Sequence, residues 1–116
     1  MTDVFFIAYE FPPLNRGGVF RSLKFVKYFN DFNIKPILFT LNPKNYKDVY
    51  NEHKTDNKLI NELKSVDKEI IYVKSDNIVN IKKNKIKSFF YFYFNVLGVI
   101  HKNWEKYFFE EAEKKL

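Results

Sequence analysis

A change of hydrophobic period around residues 17 and 18 constrains this chain more than any other feature. Residues 4–9 (Val-Phe-Phe-Ile-Ala-Tyr) form a continuous apolar run of strand length. Such a run suits a strand buried on both faces, as in a parallel sheet. Past Gly18 the apolar residues recur instead as Val19, Leu23, Val26 and Phe29, with Phe20 beside them, while Arg21, Lys24, Lys27 and Asp31 fall largely elsewhere on a helix. Pro12 and Pro13 stop the first run, since neither can donate to a ladder. Two of the chain's three glycines, Gly17 and Gly18, sit side by side at this one junction. A strand, a glycine turn and a helix start together bring bare backbone against a ligand. Glycine lacks Cβ, and the first turn of a helix points unpaired N–H groups outward.

The rest of the chain extends the alternation. Asn33 is placed to end the first helix in a left-handed conformation. Residues 34–41 read as a second strand, with Pro36 tolerable only near its start. Residues 42–57 carry Asn, Lys, Asp, His and Tyr with little apolar periodicity and are expected to be a long surface loop. A short helix is expected over 58–63 and a third strand over 69–73. Farther on, residues 88–100 are nearly all apolar and aromatic, and Trp104, Tyr107, Phe108, Ala112 and Leu116 recur at helical spacing. Strand, helix, strand, crossover, strand, helix is the order of a parallel α/β sheet with right-handed connections. With about three strands such a sheet has two open edges and a thin core, so residues 1–116 read as one partial domain.

Composition closes off several classes of function. With 46% apolar and 20% aromatic residues in 116, a buried core forms and global disorder is excluded. The absence of cysteine excludes disulfides, thiolate zinc sites and Cys nucleophiles, and fits a reducing compartment. The amino terminus has no basic region, and its apolar run is too short for a signal peptide, so a cytoplasmic protein is expected. His53 and His101 have no companions at metal-ligand spacing, and neither a metal nor a cofactor is expected. The dinucleotide and ATP-loop glycine fingerprints are absent. Ser65 and Lys68 match the Ser-x-x-Lys spacing of some acylating enzymes, without the companion motifs. A net charge of +6 invites a nucleic-acid or membrane partner, but drifting coding-DNA composition explains it equally, since only Lys82, Lys83, Lys85 and Lys87 cluster.

The stretch from Tyr9 to Phe29, YEFPPLNRGGVFRSLKFVKYF, resembles the amino-terminal signature of family-4 glycosyltransferases. There a first strand runs into Phe-Pro-Pro, a glycine pair or triplet, and an Arg on a helix. Residues 55–75 and 95–116 are similar to the family's later connections more weakly. This chain has Asn-Arg-Gly-Gly where members often carry three glycines. The resemblance implies an incomplete Rossmann-like acceptor-side domain of a two-domain enzyme that transfers a sugar from a nucleotide-sugar donor to a glycan or lipid-linked acceptor, as in cell-envelope polysaccharide synthesis. It further implies that the donor-binding domain, with most acidic catalysts, lies outside this chain. No residue here is therefore expected to be a catalyst, and the 116 residues alone are expected to be inactive.

Transfer builds negative charge on the leaving phosphate. Backbone N–H groups at Gly17, Gly18 and Val19, with Arg16 or Arg21, are the groups expected to stabilise it. The competing reading is a glycine pair that serves only a tight turn, and Glu10 is expected to be structural. Residues 82–100, basic and then greasy, are shorter than the roughly 20 apolar residues of a membrane span. They suit either a peripheral anchor at the inner face of an anionic membrane or a core helix. Two other functions stay open: a non-catalytic membrane-peripheral or assembly module, and a grip on single-stranded nucleic acid. The second is disfavoured because the aromatics lie in continuous apolar runs.

Overall fold

The computed structural model describes residues 2–50, 52–77 and 102–116. Strand β1 spans Thr2–Ile7, helix α1 Val19–Phe29, β2 Ile34–Leu41, the short α2 Tyr46–Val49, α3 Asn57–Asn61, β3 Glu69–Val73 and α4 Lys102–Lys115. The three strands form one sheet in the order β1-β2-β3, with both pairings parallel. This is a mixed α/β, Rossmann-like arrangement.

Amphipathic faces set the layers. The α1 stripe buries Val19, Leu23 and Val26, and Phe6 of β1 meets α1 through Phe25 and Phe29 at centroid distances of 6.3 and 5.3 Å. On the opposite face Phe39 of β2 packs edge-on against Phe108 of α4 at 5.2 Å. Helix α4 lies along β3 and is fastened at both ends. Trp104 Nε1 donates to the Val73 carbonyl at 3.2 Å, and Lys115 pairs with Glu69 at 2.6 Å. Asn33 ends the 3₁₀ turn after α1 with φ 59° and ψ 39°, the left-handed conformation its short polar side chain tolerates. Pro36 sits in β2 before pairing with β3 begins at Ile37, so no bond to β3 is lost there.

Two expectations require correction. The run over residues 4–9 is not buried on both faces. Among the described residues β1 pairs only with β2, and Val4, Phe5 and Ile7 are 38, 38 and 55% exposed. Burial falls on the central strand instead, where Leu38, Phe39 and Leu41 are fully enclosed. Nor is the stretch 42–57 a loose surface loop. Asn42 caps a 3₁₀ turn by accepting from Lys44 N–H at 3.0 Å, α2 follows, and Tyr46, Val49 and Tyr50 are buried. Asp56 caps α3 by accepting from Lys58 N–H at 2.9 Å, so the helix starts at Asn57, one residue ahead of expectation, and ends at Asn61. At the carboxyl terminus Leu116 lies past α4 and is exposed, so the buried stripe stops at Ala112. The Lys cluster, the aromatic run 88–100 and His101 lie outside the described residues.

Candidate functional site

The loop after β1 leaves the sheet at its carboxyl edge. Two more bonds, Ala8 N–H to the Phe39 carbonyl (2.9 Å) and Leu41 N–H to the Tyr9 carbonyl (3.2 Å), carry Ala8 and Tyr9 along β2 beyond Ile7. The buried Thr40 hydroxyl donates to the same Tyr9 carbonyl at 3.3 Å. Phe11 and Leu14 are then fully buried and pin the loop from below, across a cis Pro12–Pro13 peptide.

Gly17 and Gly18 are exposed on the surface of this loop. Gly18 is the residue before α1, with right-handed dihedrals (φ −71°, ψ −17°), so the turn does not demand glycine for a left-handed backbone. Space distinguishes the pair. A Cβ on Gly18 would lie 3.1 Å from Glu10 Oε2, whereas one on Gly17 would meet nothing within 4 Å. Gly18 thus makes room for a carboxylate of the chain itself. Gly17 leaves open surface.

Glu10 organises the rim. Its Oε1 accepts from the Tyr50 hydroxyl at 3.1 Å and pairs with Arg16 Nε at 3.3 Å. The Arg16 guanidinium lies 4.4 Å above the Tyr50 ring, which adds a cation–π attraction. Burial, and then the charge of Glu10, push the Tyr50 hydroxyl well above the ordinary tyrosine range, so it remains a neutral donor. The structural role expected for Glu10 is thereby given its partners.

The five residues singled out for phosphate contact are not brought to one point. Arg16, Gly17 and Gly18 share the rim. Val19 does not present its amide, because that N–H donates to the Arg16 carbonyl at 3.1 Å inside the turn, and its side chain is fully buried. Arg21 is exposed on the first turn of α1, its guanidinium 5.8 Å from the Phe25 ring centroid.

Residues 52–56 form a second wall that sequence reasoning passed over. Asn15 N–H donates to the Lys54 carbonyl at 2.8 Å and Asp56 N–H to the Pro13 carbonyl at 2.7 Å, with an antiparallel bridge between Leu14 and Thr55. A cavity of about 380 Å³ opens between the walls, lined by Asn15, Arg16, Glu52, His53 and Lys54. His53, expected to face solvent or the core edge, is exposed with its ring 5.6 Å from that of Tyr46. The sequence does carry a signal for the helix that precedes this wall: Tyr46, Val49 and Tyr50 stand at i, i+3 and i+4, the spacing of one helical face. The Ser65–Lys68 match is structural, since Lys68 Nζ donates to the Leu63 carbonyl at 2.7 Å. Among the described residues no group of three His, Asp or Glu could hold a metal ion, and no helix is long and apolar enough to cross a membrane.

The described residues therefore define a Rossmann-like α/β chain with a hydrogen-bonded, polar rim at the carboxyl edge of its sheet. Comparison with protein-family models, curated proteins and solved structures finds no match to it.

Proposed function

We propose that this chain is part of the acceptor-side domain of a glycosyltransferase, whose glycine loop meets the diphosphate of a nucleotide sugar held chiefly by a second domain and serves transfer of the sugar to a glycan or lipid-linked acceptor in polysaccharide synthesis. The observation that carries this reading is the open backbone at Gly17, beside Arg16, at the carboxyl edge of a parallel sheet. Ligands of open α/β sheets bind at that edge, and peptide N–H groups next to a helix start favour anions. Arg16 supports it further: with 43% of its side chain exposed, it keeps donors to offer while Glu10 and Tyr50 hold it in place. Gly18 faces the Glu10 carboxylate, so the phosphates approach from the Gly17 side.

The proposed setting is the cytoplasmic face of the membrane, with peripheral contact through residues 82–100. Co-sedimentation with anionic vesicles, abolished by Phe90→Asp, is the expected result there. For the site itself, the labelled chain is titrated with a panel of nucleotide sugars while amide resonances and released nucleotide are followed. Shifts at Gly17 and Gly18 without turnover are expected. Unmoved glycine resonances with every donor would overturn the binding reading, and nucleotide release above background would overturn the inactivity.

A further inference from the structure

We infer that the open edge of β1 is a pairing surface for the same strand of a second copy, and that two chains join their sheets antiparallel about Phe5. β1 has the composition of an interior strand and the position of an edge. Its apolar run suits burial on both faces, yet among the described residues only β2 pairs with it. Edge strands that stay single carry a Lys, a Pro or a bulge. Val4 to Ile7 has neither residue, and its register with β2 is unbroken.

The backbone fixes how a partner must approach. Thr2 N–H donates to the Asn33 carbonyl at 3.0 Å and Ala8 N–H to the Phe39 carbonyl at 2.9 Å. Strand alternation therefore turns the N–H and C=O groups of Asp3, Phe5 and Ile7 to the open edge. These three positions are symmetric about Phe5. A twofold axis there sets Phe5 opposite Phe5 and Asp3 opposite Ile7 of the second copy, and each facing pair exchanges both of its hydrogen bonds. Side chains close the seam on each face. Val4 lies on the α1 side beside Phe6 and Phe25, while Phe5, edge-on to Phe39, and Ile7 lie on the other. The occupant must bring a strand that is apolar on both faces, and β1 itself meets that demand.

Area sets the strength. Phe5 and Phe25 are 38 and 48% exposed, which at about 200 Å² per ring residue leaves roughly 170 Å² open in each copy. Val4 and Ile7 add a similar amount. With the strand backbone included, two copies approach about 1,000 Å², the floor for a specific interface, so Kd is expected on the order of 100 µM. The pairing places the two glycine rims at opposite ends of the doubled sheet and leaves both open, so it stands or falls apart from the transferase reading.

Sedimentation equilibrium of the full chain between about 10 µM and 1 mM tests it. The average mass is expected to rise from 14.1 kDa toward twice that value. Ile7 is exposed in the single chain, so its substitution leaves the fold intact. Ile7→Asp would face Asp3 of the second copy with like charge and Ile7→Lys with opposite charge, and their dissociation constants are expected to differ about tenfold, Lys the tighter. In a mixture of labelled and unlabelled parent chains, an intermolecular Hα–Hα cross-peak between Val4 and Phe6 is expected. A monomer mass at every concentration overturns the pairing. So do assemblies larger than a dimer, equal dissociation of the two Ile7 variants, or absence of the cross-peak from a dimer. Equal protection of the Asp3, Phe5 and Ile7 amides from hydrogen exchange in dilute and concentrated samples also overturns it, because another segment of the same chain would then occupy the edge.

Discussion

Neighbouring residues of identical type do different work at the loop after β1. Gly18→Ala would push a methyl group to 3.1 Å from Glu10 Oε2, and the carboxylate that holds Arg16 and Tyr50 through Oε1 must give by a few tenths of an ångström. Gly17→Ala meets nothing within 4 Å. Gly17→Ala is therefore expected to leave thermal stability unchanged or raise it by up to about 1 kcal/mol, while weakening nucleotide-sugar binding because its methyl group occupies the approach path. Calorimetric melting beside a binding titration separates the two effects; equal donor affinity in parent and variant would count against close approach. Asn30 is a clasp of another kind. Its amide donates to the carbonyls of Ile34 and Asp67 at 3.2 and 3.1 Å and accepts from Asp67 N–H at 2.8 Å. Water can replace part of this at the surface, so Asn30→Ala should cost about 1 kcal/mol in denaturant unfolding. Tyr46, pushed up to about 12 mainly by burial, adds a pH dependence. The unfolded chain loses this proton near the ordinary tyrosine value of 10.0, before the folded chain does. Stability is thus full below pH 10 and falls as the pH rises toward about 12. In Tyr46→Phe that alkaline slope should become shallower but not vanish, because the raised Tyr50 hydroxyl acts in the same direction.

At the scale of elements, the sheet divides sharply between a central and an edge strand. Phe39 is fully buried and touches Phe5 and Phe108, at 5.1 and 5.2 Å between centroids, so Phe39→Ala should cost about 3–5 kcal/mol. Ile7 is 55% exposed on the edge strand, and Ile7→Lys should change stability by no more than about 0.5 kcal/mol. A comparable loss at both positions would contradict the one-sided pairing of β1. This contrast also marks what the sequence could and could not disclose. The α1 face was legible because Val19, Leu23 and Val26 keep one period and are the residues the helix buries. Strands β2 and β3 were legible as apolar runs bounded by polar turns. The exposure of β1 was not, because an apolar run does not say how many neighbours a strand will have. The 46–50 helix face was hidden by the polar residues around it. The rim trio was hidden by distance along the chain, since Tyr50 and Glu10 are 40 residues apart. Nothing local to either residue announces the other.

For the molecule as a whole, α4 closes the face of the sheet opposite α1. Trp104 is buried, donates to Val73 and stands edge-on to Tyr9 at 5.2 Å. Trp104→Ala should cost about 3–5 kcal/mol and expose the Phe39 side of the core, as increased dye binding before global unfolding would reveal. Beside it, Asp76 accepts from the Tyr107 hydroxyl at 2.7 Å and pairs with Lys106 at 3.0 Å. The Tyr107 and Lys106 hydrogen bonds hold its carboxyl below the ordinary carboxylate range. The increment is present above the unfolded value near 3.8 and is lost as the pH falls through the lower folded one. Asp76→Asn should therefore narrow the acid-side decline of the melting temperature by a small amount, because the group is half exposed.

The backbone rungs that join Pro13 to Asp56 and Asn15 to Lys54 have a mechanical consequence. Swinging the strip that bears Glu52 and His53 outward while the glycine loop stays put would break both bonds, so the two segments are coupled. A molecule that pressed on the glycine loop would therefore be felt at the 52–56 strip through these same rungs.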